Sequence, residues 1–149
     1  MQIRFIKKHP RATVPKRSTD GAAGYDMTAV SMDAPEMKNG VVSYKYHTGI
    51  AVEIPPGYVG LVFPRSSVVK TGAILGNCAG VIDSDYRGEI SFVFYANSFS
   101  APYSVGDEST PPDRIGQLVI VKHETIDFVE AESLSETKRG EGGYGSTGR

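Results

Sequence analysis

A chain of 149 residues with 16 basic and 17 acidic side chains is the length of one domain, and its net charge of −1 offers no bulk field for nucleic acid or an anionic membrane. Its one cysteine, Cys78, excludes an intrachain disulfide and fits a reducing compartment. No apolar run reaches about 18 residues and the N-terminus has no signal-type apolar core, so a soluble intracellular protein is expected, cytoplasm and nucleus not being distinguished.

The first predicted strand covers residues 2–7, and the basic opening (Arg4, Lys7, Lys8, Arg11, Lys16, Arg17) reads as a solvated face. Ala23-Gly24-Tyr25-Asp26 starts a strand that carries a carboxylate. Asn39-Gly40 is a hairpin-turn signal ahead of a strand at 41–47, because both residues tolerate positive φ. Ile50, Val52 and Ile54 alternate before Pro56-Gly57, a type II turn pair, and Val59, Leu61 and Phe63 alternate after it. Pro64-Arg65-Ser66-Ser67 ends that strand and starts a helix of about one turn over Ser66 to Thr71. Ser66 is placed to cap the helix, and Arg65 to fork onto phosphate oxygens.

Further strands are expected at 73–76, 88–95, 115–123 and 126–130. GVIDSDYRGE at 80–89 reads as a β-hairpin with one carboxylate, Asp83, and one ring, Tyr86, at its bend. Residues 98–113, with three prolines and four serines, read as a surface loop. In Arg114-Ile115-Gly116-Gln117-Leu118 one strand face presents a lone amide, Gln117. From Lys138 on, five of twelve residues are glycine, and such a tail cannot offset its own ordering entropy. An arginine, a single ring and a Ser-Thr pair in it are nonetheless groups that can close over a phosphorylated planar ligand. Many short strands between turns imply an all-β barrel or jelly-roll-like sandwich.

Several common sites are excluded. Gly140, Gly142 and Gly145 match G-x-G-x-x-G, but no helix can follow them in this chain. There is no phosphate-binding G-x-x-x-x-G-K-[ST], no C-x-x-C and no H-E-x-x-H, and His9, His47 and His123 stand apart in sequence.

Five segments taken in order carry a resemblance: AGYDMTA at 23–29, PRSSVVKTG at 64–72, GNCAGVIDSDYRGEI at 76–90, RIGQL at 114–118 and RGEGGYGSTG at 139–148. They resemble the five ordered motifs of the trimeric deoxyuridine triphosphatases (dUTPases). The resemblance implies a jelly-roll-like distorted β-barrel over residues 1–137 with one short helix. It implies a flexible C-terminal arm, 138–149, that closes over a neighbouring subunit's site. The implied activity is Mg²⁺-dependent hydrolysis of dUTP to dUMP and pyrophosphate, which limits uracil in DNA and supplies dUMP for dTMP synthesis.

By the same resemblance Asp83 is the general base for a water attacking the α-phosphorus, with Asp85 the competing carboxylate. Tyr86 packs against deoxyribose and excludes a 2′-hydroxyl, while Asn77, Gly80, Val81 and Ile82 read uracil. Arg65, Ser66, Ser67 and Gln117 hold phosphates, and Asp26 grips Mg²⁺ through water, the ion itself sitting on the triphosphate. In the arm, Arg139, Gly145, Ser146 and Thr147 meet phosphates and Tyr144 stacks over uracil. The implied assembly is a homotrimer whose sites are shared among subunits, with no nucleic-acid or membrane partner.

The chain departs from the motifs at three points. Tyr144 replaces the usual Phe, Gly116 replaces the usual Ala and loosens a strand slightly, and ESTPPD separates Gly106-Asp107 from Arg114. Two other readings compete: dCTP deaminase, which shares the fold and a PRSS-like segment, and a non-catalytic nucleotide sensor or partner-binding module.

Overall fold

The computed structural model describes residues 1–97 and 99–143, and the arm residues Tyr144, Gly145, Ser146 and Thr147 lie outside the described residues. The strands are β1 (Arg4–Lys7), β2 (Tyr25–Thr28), β3 (Ser31–Met32), β4 (Glu36–Lys38), β5 (Val41–His47) and β6 (Ile50–Glu53). They continue as β7 (Tyr58–Pro64), β8 (Ile74–Leu75), β9 (Gly80–Ile82), β10 (Ser91–Ala96) and β11 (Arg114–Lys122). Every pairing among these strands is antiparallel. One sheet runs β3-β5-β10-β8 with β4 also on β5, a second runs β2-β11-β7-β9, and β1 pairs with β6. They are separate sheets and not one continuously hydrogen-bonded ring, so the expected all-β, jelly-roll-like class stands without a closed barrel. The helix among the described residues is a short 3₁₀ segment, Ser66–Lys70. No described helix is long and apolar enough to cross a membrane.

Asn39 and Gly40, at φ 53° and 78°, turn β4 into β5 as the Asn-Gly pair requires. Gly57, at φ 80°, lets the Tyr58 N–H return to the Pro55 carbonyl, but β6 and β7 on either side pair with other strands.

The main sheets share one core. β5 and β10 contribute Tyr44, Tyr46, Phe92 and Phe94, and β2, β7 and β11 contribute Met27, Val62, Ile115 and Leu118. The 98–113 loop is less superficial than its composition implies. Its Tyr103 is buried, with ring centroids 5.0 Å from Phe94 and 5.8 Å from Tyr46. The Tyr46 hydroxyl donates to the Tyr103 carbonyl and accepts its N–H, both at 3.1 Å, and burial pushes that hydroxyl up to about 12.

Four expectations are corrected. The 80–89 segment is not a hairpin: β9 pairs with β7 and β10 with β5 and β8, so the loop crosses between sheets. Alternation around a turn reports two strands and is silent on whether they pair with each other. Residues 126–130 form no strand, and Phe128 is 93% exposed. Ser66 does not cap the helix, because Arg65 occupies the N-cap position without a side-chain cap bond. Arg11 is not a solvated cation. It is half-buried and donates to the carbonyls of Val30, Val105 and Gly106.

Candidate active site

Two clusters hold the expected site residues among the described ones, Arg139 excepted. The first lies at one end of the β2-β11-β7 sheet. Strand register places Gln117 beside both Asp26 and Phe63, one residue short of the Pro64 that leads into Arg65. The Asp26 carboxylate is largely enclosed. It accepts from Arg65 Nε at 3.1 Å, Arg114 Nη1 at 2.9 Å and Ser18 Oγ at 2.7 Å. Burial opposes its charge, but the Ser18 bond and the two guanidiniums outweigh that and hold the carboxyl below the usual aspartate range. Gln117 stands over Gly24, where a β-carbon would collide with the Gln117 amide oxygen. Ser66 is exposed and Ser67 half-buried in the 3₁₀ turn next to Arg65.

The second cluster forms around the crossing loop. Gly80 has no room for a side chain, since a β-carbon would meet Val62 Cγ2 at 2.5 Å and Asn77 Nδ2 at 3.1 Å. The Asn77 amide therefore lies against the Gly80 backbone. A cleft of about 200 Å³ is lined by Val81, Ile82, Asp83, Tyr86, Glu89 and Ser91. Asp83 is among these residues and Asp85 is not. The Tyr86 ring folds back over Gly88 and fills the space a β-carbon would need there, and its hydroxyl donates to the Glu89 carbonyl at 3.0 Å. A larger groove of about 580 Å³, walled by Ile3, Phe5, Val52, Leu118 and Ile120, holds none of the expected site residues.

The clusters occupy opposite edges and opposite ends of one sheet. Asp26, on β2, is level with Phe63, whereas Asp83 follows β9, whose Ile82 is level with Gly60. Three strand spacings across and about four residues along put them about 20 Å apart. Arg139 belongs to neither cluster: it is exposed, and its Nε donates to the Gly142 carbonyl at 2.7 Å.

Ser18, Arg114, Glu89 and Ser91 are site neighbours that sequence reasoning missed or left without a role. Arg114 opens an apolar strand and Glu89 ends an aromatic turn, which marks position but not partner. Among the described residues no three His, Cys, Asp or Glu side chains group as a metal site. Asp26 accepts three donors already, which leaves its carboxylate about one free lone-pair site. That fits a water-mediated grip on a hard cation and not direct ligation.

A family model described as dUTPase matches residues 10–148, nearly all of the chain. The chain belongs to the dUTPase family. It is 40% identical over 154 residues to the deoxyuridine 5′-triphosphate nucleotidohydrolase of Wolinella succinogenes, covering 100% of this chain and 95% of that protein. Identity to the enzyme of the same name from Corynebacterium glutamicum is 41% over 150 residues, covering 99% and 95%. Among solved structures, the dUTPase of Staphylococcus bacteriophage 80alpha with bound dUPNHPP superposes with a TM-score of 0.77 at 26% identity, covering 99% of each chain. The dUTPase of phage phi11 of Staphylococcus aureus, solved as a point mutant that reveals the coordination of a structural Mg(II) ion, shares the fold at 23% identity. It covers 89% of this chain and 98% of that one, with a TM-score of 0.71. The fold thus sets the Asp26–Arg65–Gln117 cluster and the Asp83-bearing cleft on the two flanks of one sheet.

Proposed function

We propose that this chain hydrolyses dUTP to dUMP and pyrophosphate, drawing each site from more than one copy of itself. The observation that carries the reading is the pairing of Asp83 and Tyr86 in one cleft beside Gly80–Ile82, in a chain of this family. Uracil meets the backbone of Gly80, Val81 and Ile82 and the Asn77 amide. Cytosine presents a donor where uracil presents an acceptor, and a buried mismatch of that kind discriminates by about 10⁴. Tyr86 meets the deoxyribose and leaves no space for a 2′-hydroxyl.

Asp83 takes a proton from a water, whose oxygen bonds to the α-phosphorus as the bond to the bridging oxygen breaks. Pyrophosphate leaves with that oxygen, and dUMP keeps the new one. A carboxylate placed for this contributes about 10²–10⁴ in rate. Arg65, Ser66, Ser67 and Gln117 hold the phosphates, with Arg139, Tyr144, Gly145, Ser146 and Thr147 completing the site from the arm. Asp26 would hold Mg²⁺ through a water, and the ion would supply charge neutralisation for the triphosphate. The phosphate cluster and the base are about 20 Å apart within one chain, which supports sites shared between copies, the homotrimer being what the family resemblance implies. Removal of dUTP limits uracil in DNA, and its product is the dUMP used for dTMP.

The test is pyrophosphate release from dUTP, UTP, dCTP and dTTP with Mg²⁺. dUTP alone should be turned over readily; equal rates on all four would end the specificity assignment. Asp83→Asn should keep dUTP binding and lose about 10²-fold or more in kcat. Near-normal turnover would remove Asp83 as the base.

A further inference from the structure

Glu89 stands between the Tyr86 ring and the body of the protein. Its backbone carbonyl accepts the Tyr86 hydroxyl at 3.0 Å. Its side-chain Oε1 accepts the Gly49 N–H at 2.5 Å, and its Oε2 lies 3.7 Å from His47 Nδ1. His47 is tied in turn, through Nε2, to Asp33 Oδ1 at 2.9 Å. The donor at Gly49 sits on backbone that cannot shift easily. Its φ is +67°, and a β-carbon there would lie 2.8 Å from both Ala12 and His9 side chains. The next residue is fixed as well: the Ile90 carbonyl accepts the Thr48 hydroxyl at 2.7 Å, and the Ile90 N–H donates to the Ile50 carbonyl at 2.9 Å.

The rest of the loop is held mainly by itself. Tyr86 N–H returns to the Asp83 carbonyl, and Arg87 donates to the carbonyls of Ser84 and Tyr86. Arg87 also faces Glu53, but at 3.9 Å and with both side chains open to water. The connection from ring to scaffold therefore runs through the Glu89–Ile90 peptide, held by the Glu89 carboxylate on one side and by the Ile90 N–H on the other. A carboxylate accepting from a rigid backbone amide is a strong, directional anchor.

We infer that Glu89 is a positioning residue for sugar selection: together with the Ile90 N–H bond, its carboxylate fixes the peptide whose carbonyl holds the Tyr86 hydroxyl, and so sets how closely the ring crowds C2′ of the substrate. The inference rests on the reading that Tyr86 meets the deoxyribose. A ring displaced by about 1 Å leaves room for a hydroxyl, because steric rejection falls away over such distances.

The experiment compares kcat/KM for dUTP and UTP in the full-length protein and in Glu89→Ala, Glu89→Gln, Tyr86→Phe and Tyr86→Ala. Glu89→Ala should shrink the dUTP:UTP ratio about tenfold, and Glu89→Gln, which keeps an acceptor for Gly49, should recover most of it. If Glu89 matters only for folding, both substrates slow in parallel and the ratio holds, which overturns the inference. Tyr86→Phe reads the same link from the ring side and stands in where Glu89→Ala does not fold. It should lower the ratio by a similar factor, and an unchanged ratio again overturns the inference. Tyr86→Ala separates the two layers. If it leaves the ratio intact, the sugar-reading role of Tyr86 falls and takes this inference with it. If it collapses the ratio while Glu89→Ala does not, only the positioning role of Glu89 is lost.

Discussion

At the scale of single residues, Asp26 matters most to how its cluster with Ser18, Arg65 and Arg114 is organised. Its carboxylate holds two guanidiniums that would otherwise repel each other, and it aims Arg65 across the end of the sheet. The folded-state carboxyl is depressed, so its contribution to stability is present above the unfolded value, about pH 4, and is lost as pH falls through the lower folded value. Asp26→Asn should therefore cost about 1–3 kcal/mol at neutral pH. Thermal melts should show this gap from wild type holding constant down to about pH 5 and closing below about pH 4. A gap that grows on acidification would contradict the ion-pair account. Asp26, Arg65 and Gln117 are legible as candidate site residues, because a carboxylate, a guanidinium and an amide at strand ends stand out against apolar alternation. Their mutual contacts are not. Ser18 and Arg114 reach Asp26 across eight and 88 residues of chain, and no local pattern encodes that.

At the scale of elements, turn chemistry is the most legible layer. Asn39-Gly40 and Gly57 adopt the positive φ their types require, and the long strands fall where alternation places them. Short strands such as β3 and β4 escape, because two or three residues do not make a period. The 126–130 segment errs in the other direction: its alternation marks a face suited to burial, but pairing needs a partner that periodicity does not name. Gly116 shows how one element's sequence is set by another. In sequence it suggests a loosened strand, yet the Phe92 ring of β10 fills its β-carbon space, the ring's Cε1 and Cζ both falling within overlap of that position. Gly116→Ala should thus overpack the inter-sheet core and destabilise by about 1–3 kcal/mol. Phe92→Leu should cost stability in the native background but less in the Gly116→Ala background. Urea titrations of the four-member cycle measure this coupling, and strict additivity would show that the two sites do not share space.

At the scale of the whole molecule, the separation of the two clusters is the main fact to explain. Asp26 and Asp83 belong to opposite edges of the sheet, β2 and the loop after β9, and local rearrangement cannot close about 20 Å across hydrogen-bonded strands. The β-carbon spaces of Gly60 and Gly80, filled by neighbouring side chains, also leave little slack in β7 and β9. In the proposed reaction, a single α-phosphorus meets Gln117 and Asp83 only if they come from different copies. This makes a mixing experiment decisive. Asp83→Asn and Arg65→Ala chains, each inactive alone, are unfolded together in equal amounts and refolded. Shared sites in a trimer should restore about one quarter of wild-type activity, the chance that adjacent copies supply the intact half each site needs. Sites contained within one chain restore none, whatever the mixing ratio. The recovered activity should also vary with the ratio of the two chains and peak at equal amounts.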